Sequence, residues 1–270
     1  MSRDETRTAT AHAPGSVTVV FTPTEDGEGS RGISFATADG VTARVQPATE
    51  TQISLDGEVT TVERVLQRLG VTAAVALDAA TPVGAGFGAS GAATLATALA
   101  ANAVFELGRS RESLVTAAHR AEVAAGTGLG DVFVQERGGL AYDVGDGRNS
   151  HDRTDSLQYV SHGGIATESV LSDEGAVERI RAAAGDVFDR FDPERPLDHL
   201  FADARAFADA TGLVTDSVRA TLDRVADAGG EATMAMVGET VIAVGAEETL
   251  PNTTRISPDG ARLLDYPDER

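Results

Sequence analysis

Residues 81–93 read Thr-Pro-Val-Gly-Ala-Gly-Phe-Gly-Ala-Ser-Gly-Ala-Ala and run straight into a stretch of helix formers. Glycines let backbone N–H groups turn toward a bound anion, and a helix start adds unsatisfied donors and the positive end of the macrodipole. The run Gly84, Ala85, Gly86, Phe87, Gly88, Ala89, Ser90, Gly91, Ala92 can therefore cradle phosphate without a lysine. The same residues also suit a tight helix entry in which small side chains merely permit close packing. Two carboxylates downstream bear on that choice. Leu114, Val115, Ala118, Ala121 and Ala125 recur at helical spacing, and Glu122 falls inside their apolar stripe. A carboxylate facing a core must be paired, hydrogen-bonded or bound to a metal. An ion pair with an arginine and a Mg²⁺ site shared with substrate phosphates are the two readings. Asp131 follows Gly126-Thr127-Gly128-Leu129-Gly130, a loop small enough for a substrate to approach closely. It either caps the next element or serves as general base for a hydroxyl.

Two rival motifs overlap the glycine loop and fade on inspection. Gly86, Gly88 and Gly91 satisfy G-x-G-x-x-G, but the acid expected ~20 residues on falls where Arg109 to Glu112 start another helix. Ser90 is no nucleophile elbow, since G-x-S-x-G needs glycine where Ala92 stands. The five histidines, at 12, 119, 151, 162 and 199, have no metal-ligand spacing, and His119 lies off its helix's apolar stripe, so solvent exposure is expected for it.

Composition removes other chemistries. All 22 basic residues are arginine and there is no cysteine, which excludes Schiff-base lysines, the lysine-bearing P-loop, thiolate metal sites and disulfides. A formal charge of −20 repels nucleic acid and anionic membranes. Such self-repulsion is tolerable where salt screens it, the Debye length being ~3 Å at 1 M, so a high-salt cytoplasm is the expected setting. Met1 to Ala13 has no apolar core of a signal peptide, and Gly91 to Leu107 is interrupted by Thr94, Thr97 and Asn102, which suits a buried helix better than a membrane span.

The elements that must position these groups follow from periodicity. Strands are expected at Ser16–Phe21, Gly32–Thr37 and Val41–Gln46, with an acidic turn at Glu25–Gly29 and a hairpin at Asp39-Gly40. A helix at Glu58–Leu69, a strand at Val71–Leu77, helices at Ala89–Leu107 and Arg111–Ala125 and a strand at Gly139–Val144 complete the first half. The polar cluster Gly145–Asp155 is read as a junction, giving segments 1–150 and 151–270. The second half gives a strand at Leu157–Ser161, then helices at Asp173–Arg190, Leu197–Ala210 and Thr215–Ala228. Two closing strands, Ala232–Val237 and Thr240–Val244, are joined by Gly238-Glu239. Hairpins mixed with helices indicate an α+β fold.

Pro82 to Ala93 resembles the central motif of the GHMP small-molecule kinases, P-x-G-x-G-L-G-S-S-A-A. The Phe87 variant, the Ala-Ser-Gly run at 89–91, Gly29-Ser30-Arg31-Gly32 and Gly126 to Asp131 are similar to the archaeal pantoate kinase branch of that family. Ala13-Pro14-Gly15-Ser16 resembles its first motif, and Gly229-Gly230 with Met234 to Gly238 its third. The resemblance implies a GHMP-kinase-like two-domain fold, with a mixed α/β N-terminal domain, a ferredoxin-like C-terminal domain and the site between them. It implies ATP-dependent phosphorylation of pantoate to 4-phosphopantoate in coenzyme A biosynthesis, with mevalonate-like or homoserine-like alcohols, or nucleotide binding without chemistry, as alternatives. By the same resemblance the loop from Pro82 to Ala92 binds ATP, Ser90 and Glu122 hold Mg²⁺, Asp131 is the catalytic aspartate, and the protein forms a homodimer. Many family members carry lysine where this chain has Ser16. Arg31 is the candidate to replace that charge or to clasp the pantoate carboxylate.

Overall fold

A long antiparallel ribbon, β1 (Ala9–Pro23) and β2 (Ser30–Pro47), is the spine of the molecule. The computed structural model describes residues 7–24, 29–54, 60–128, 130–164, 172–236 and 238–266. Glu25 to Glu28 of the expected turn, the first residues of the helix expected from Glu58, Leu129 and Val237 therefore lie outside the described residues. The ribbon is dislocated at its middle: Pro14 pairs with Gly40 but Gly15 pairs with Thr37, so Ala38 and Asp39 have no partner on β1. Asp39-Gly40 is thus not the expected hairpin. It lies inside one continuous strand as a bulge, which bends the strand and increases its twist. Gly40 is required there because a Cβ would run into the Ala13 carbonyl and lie 2.7 Å from the Pro14 Cα.

On one side of the bulge, Ala9, Ala11, Ala13, Val41, Ala43 and Val45 pack under helices. β1 begins well before the Ser16 expected from sequence, a start missed because alanine is a weak strand former and its run at 9–13 carries no local strand signal. β2 continues through β4 (Ala73–Ala79) to β3 (Gln52–Ser54), the last two parallel and linked by α1 (Thr60–Leu69). α2 (Ala89–Val104) crosses this sheet with nearly every residue buried, as a helix apolar all round must be. α3 (Arg111–Ala125) matches its expected span, capped by the Ser110 hydroxyl on the Ser113 N–H and stopped by left-handed Gly126. α4 (Asp131–Arg137) is a short helix that periodicity did not reveal. β5 (Leu140–Asp143) pairs with β2, and β6 (Asn149–His151), inside the polar cluster read as a junction, pairs with β5.

Beyond the bulge, Val17, Val19, Phe21, Ile33 and Phe35 enter a second core with the remaining elements. These are β7 (Ser156–Gly164), α5 (Glu174–Phe188), α6 (Leu197–Thr211), α7 (Asp216–Asp227), β8 (Glu231–Ala235), β9 (Gly238–Val244) and β10 (Asn252–Arg255). Gly238 and Glu239, expected as a turn, begin β9. The second sheet is antiparallel in the order β10-β7-β9-β8, the ferredoxin-like arrangement. Among the described residues, α5, α6 and α7 all lie between the first two of its strands, and a turn stands between β9 and β10 where a second crossover helix would be. The chain does not close on β9: β11 (Arg262–Asp265) returns to pair with β1 at the edge of the first sheet. Among the described residues no helix is long and apolar enough to cross a membrane.

α6 ties the second core to the ribbon. Phe201 stacks on Phe35 with ring centroids 5.9 Å apart, and Phe207 meets Phe21 edge-on at 6.4 Å. Phe201 is fully buried. Phe201→Ala is expected to cost about 3–5 kcal/mol, read as a lower midpoint in urea unfolding at high KCl.

Candidate active site

The glycine loop, the start of α1, the end of α3, the start of α4 and the β5–β6 hairpin enclose a cavity of about 590 Å³. Among the described residues after 150, Met236 alone lines it, so the walls come almost wholly from the first half. Gly84, Gly86 and Gly88 all take left-handed backbone, at φ 75°, 81° and 60°. Gly84, Gly86, Phe87, Gly88, Ala89, Ser90 and Gly91 line the cavity. Pro82, Ala85 and Ala92 do not, because each serves the packing around the loop or lies aside from it. Ala85 is buried and its carbonyl accepts from the Thr240 hydroxyl at 2.7 Å. Ala92 is buried and its N–H makes the first helical bond, to the Gly88 carbonyl at 3.0 Å. The N–H groups of Ala89, Ser90 and Gly91 precede that bond and have no helical acceptor, leaving donors for an anion. The Phe87 ring points inward against Tyr159, 4.8 Å between centroids, so its contribution to the site is backbone.

Glu122 is 2% exposed and held by hydroxyls. Ser90 and Thr94 each donate to Oε1 at 2.9 Å, and Thr127 donates to Oε2 at 2.9 Å. Thr61, at the start of α1, lies 3.2 Å from the Ser90 hydroxyl. Among the described residues no arginine forms an ion pair with Glu122. Burial pushes its carboxyl above the usual range, the three hydroxyls pull it back, and the Asp131 charge adds to the rise. A hydroxyl and a carboxylate side by side, without a basic partner, are a donor set that fits a hard divalent cation.

Asp131 is the first residue of α4, whose cap is Gly130 with no side-chain bond, so the aspartate is not a helix cap. Its Oδ1 accepts from the Ser16 hydroxyl at 2.7 Å. Burial raises its pKa and the Ser16 bond opposes the rise. A Cβ placed on Gly128 would stand 3.3 Å from Asp131 Oδ2 and 3.3 Å from Glu122 Oε2, so the two oxygens are at most twice that distance apart. Gly88 and Gly91 face the same helix. A Cβ on Gly88 would strike the Ser16 hydroxyl, and one on Gly91 would lie 3.4 Å from the Asp131 Cβ.

Arg31 is exposed and lines the cavity, its guanidinium 6.0 Å from the Phe188 ring. Sequence reasoning missed Arg137 and Arg148 on the same walls. Arg148 lies 3.5 Å over the Phe133 ring, and burial lowers its pKa while Asp143 opposes and Arg137 reinforces that shift. His119, expected in solvent, is half-buried against the Phe133 ring, at 4.8 Å between centroids. Gln135 was also missed: it is fully buried one turn after Asp131 and donates to the Gly88 carbonyl at 2.7 Å. Its i, i+4 spacing from Asp131 was the available signal, visible only once 131–137 is known to be helical.

Residues 58–139 match the family described as GHMP kinases N terminal domain. The chain is 28% identical over 282 residues to a pantoate kinase of Methanospirillum hungatei, with 94% of this chain and 96% of that protein covered. It is 29% identical over 188 residues to a pantoate kinase of Thermococcus kodakarensis, covering 66% and 61% respectively. A solved phosphotransferase related to the CoA biosynthesis pathway has the same fold, with a TM-score of 0.78 at 22% identity, covering 95% of this chain and 98% of that one.

A carboxyl whose pKa is raised by folding binds more protons in the native state. Its favourable share of stability is therefore present at low pH and lost as pH rises through the raised value. Glu122→Gln is expected to remove that loss: in EDTA at neutral pH the variant unfolds at or above the wild-type temperature. Added Mg²⁺ and nucleotide should raise the unfolding temperature of the wild type by more than that of the variant, as thermal unfolding will read.

Proposed function

We propose that this chain, a member of the GHMP kinase superfamily, transfers the terminal phosphoryl group of ATP to the primary hydroxyl of pantoate. The product is 4-phosphopantoate, for coenzyme A biosynthesis. One observation carries the reading: Asp131 and the hydroxyl-wrapped Glu122 converge on one cavity beneath a glycine loop that ends in free helix N–H groups. A pantoate kinase aligned over 94% of the chain supports pantoate as the acceptor.

In this reading the N–H groups at the start of α2 bind the triphosphate, and Ser90 with Glu122 holds Mg²⁺, which when bound neutralises phosphate charge. Asp131 keeps Oδ1 on Ser16 and turns Oδ2 to the acceptor hydroxyl, whose proton it takes as the oxygen attacks. A carboxyl raised by burial is a stronger base than an ordinary aspartate. Arg31, with Arg137 and Arg148, supplies the positive charge for an acceptor carboxylate and for the transferring phosphoryl group. The lysine-free composition and charge of −20 support a saline cytoplasm as the working environment.

The deciding assay measures ADP release with Mg²⁺ and ATP in multimolar KCl, comparing pantoate, mevalonate and homoserine, with the product identified by phosphorus NMR. Pantoate-dependent turnover with a new phosphomonoester is expected. Asp131→Asn should lower kcat by about 10²–10⁴-fold while calorimetric ATP affinity holds. Loss of ATP binding together with folding would remove Asp131 from its assigned role.

A further inference from the structure

The amide of Gln135 joins the glycine loop to Asp131 through Ser16. Its Nε2 has two hydrogens: one goes to the Gly88 carbonyl at 2.7 Å and the other to the Ser16 hydroxyl oxygen at 3.3 Å. The orientation is fixed chemically, since a carbonyl accepts and only the nitrogen can face Gly88. Ser16 has a single proton and already accepts from Gln135, so that proton is directed at Asp131 Oδ1, 2.7 Å away. The Ser16 backbone N–H closes the circuit on the Phe87 carbonyl at 2.9 Å. Gln135 and Ser16 are 0% and 1% exposed, so no water competes for these bonds at ordinary cost.

We infer that Gln135 is a positioning residue for the phosphoryl transfer proposed above: it aims the Ser16 hydroxyl at one oxygen of Asp131 and locks that helix to the phosphate-binding loop. Asp131 then presents only Oδ2, on the open Gly128 side, to an acceptor hydroxyl. Without the amide, Ser16 can turn its proton to the Gly88 carbonyl, and the carboxylate gains a second rotamer. The charged groups around Asp131 are unchanged by this relay: Glu122 on α3, Arg137 on α4, and Asp143 and Arg148 across the cavity. The inference rests on the kinase reading, and its test separates the two.

The test is a double-mutant cycle in high KCl with Gln135→Met, Ser16→Ala and the pair, reading kcat, the KM for ATP and calorimetric nucleotide binding. A residue acting through Ser16 gives a kcat loss on the order of 10²-fold in each single variant, no further loss in the pair, and unchanged nucleotide affinity. Additive losses, or an undiminished kcat in Gln135→Met, overturn the inference alone. Wild-type protein that phosphorylates none of the three acceptors overturns the inference and the kinase reading together. If Gln135→Met does not fold, the side-chain amide of Gln135 in nitrogen-15 NMR decides. Both protons should exchange slowly in the wild type and only one should move in Ser16→Ala, whereas two freely exchanging protons overturn the relay.

Discussion

The dislocation of the β1–β2 ribbon at Pro14-Gly15 is the constraint on which the rest depends. An unbroken ribbon would keep one face of both strands toward one core along its whole length. Two unmatched residues on β2 bend it, so that Ala9 to Ala13 serve the helical layer while Val17 to Phe21 serve the core shared with α5, α6 and α7. Gly15 sits at the step because a Cβ there would meet the Thr37 hydroxyl and lie 2.7 Å from the Asp39 carbonyl and 3.1 Å from that of Phe87. Close approach of three backbones is what brings Ser16 onto the glycine loop. The cavity lies at the seam the bend creates.

That seam holds two carboxylates whose burial is unfavourable by itself. Hydroxyls, not arginines, satisfy them, although the chain has arginines to spare. A guanidinium would stabilise Glu122 and, for the same reason, compete with any cation brought to it. Serine and threonine satisfy lone pairs while leaving the negative charge uncompensated. The folded protein therefore gives up stability at this point, and a bound cation and phosphate would recover it.

Much of this was legible in the sequence, and the failures have a common cause. The span of α3 was readable because its apolar stripe is a local signal. The glycine loop, Glu122 and Asp131 were readable because helix entry and a polar residue in an apolar stripe are local signals too. The Asp39-Gly40 bulge was not: a dipeptide reports only that the chain departs from a straight strand, and the partner strand decides whether it reverses. β11 pairs with residues some 250 positions away, and no window along the chain contains both. Arg148 lay in a stretch that looked like a linker, since a two-strand hairpin closing over a cavity has little apolar periodicity of its own.

The absence of lysine then takes on a mechanistic sense. An ammonium in place of Ser16 would lie against Asp131, favour its ionised form and lower its pKa, making it a weaker base. The serine hydroxyl opposes the effect of burial by less than a full charge would, so Asp131 stays raised. In the proposed transfer the positive charge would come instead from guanidinium groups on other walls of the cavity, Arg31, Arg137 and Arg148. Under that proposal, proton acceptance and charge neutralisation, which one lysine beside an aspartate would set against each other, would fall to separate residues. Arginine suits that arrangement because it keeps its charge when partly buried, as over the Phe133 ring.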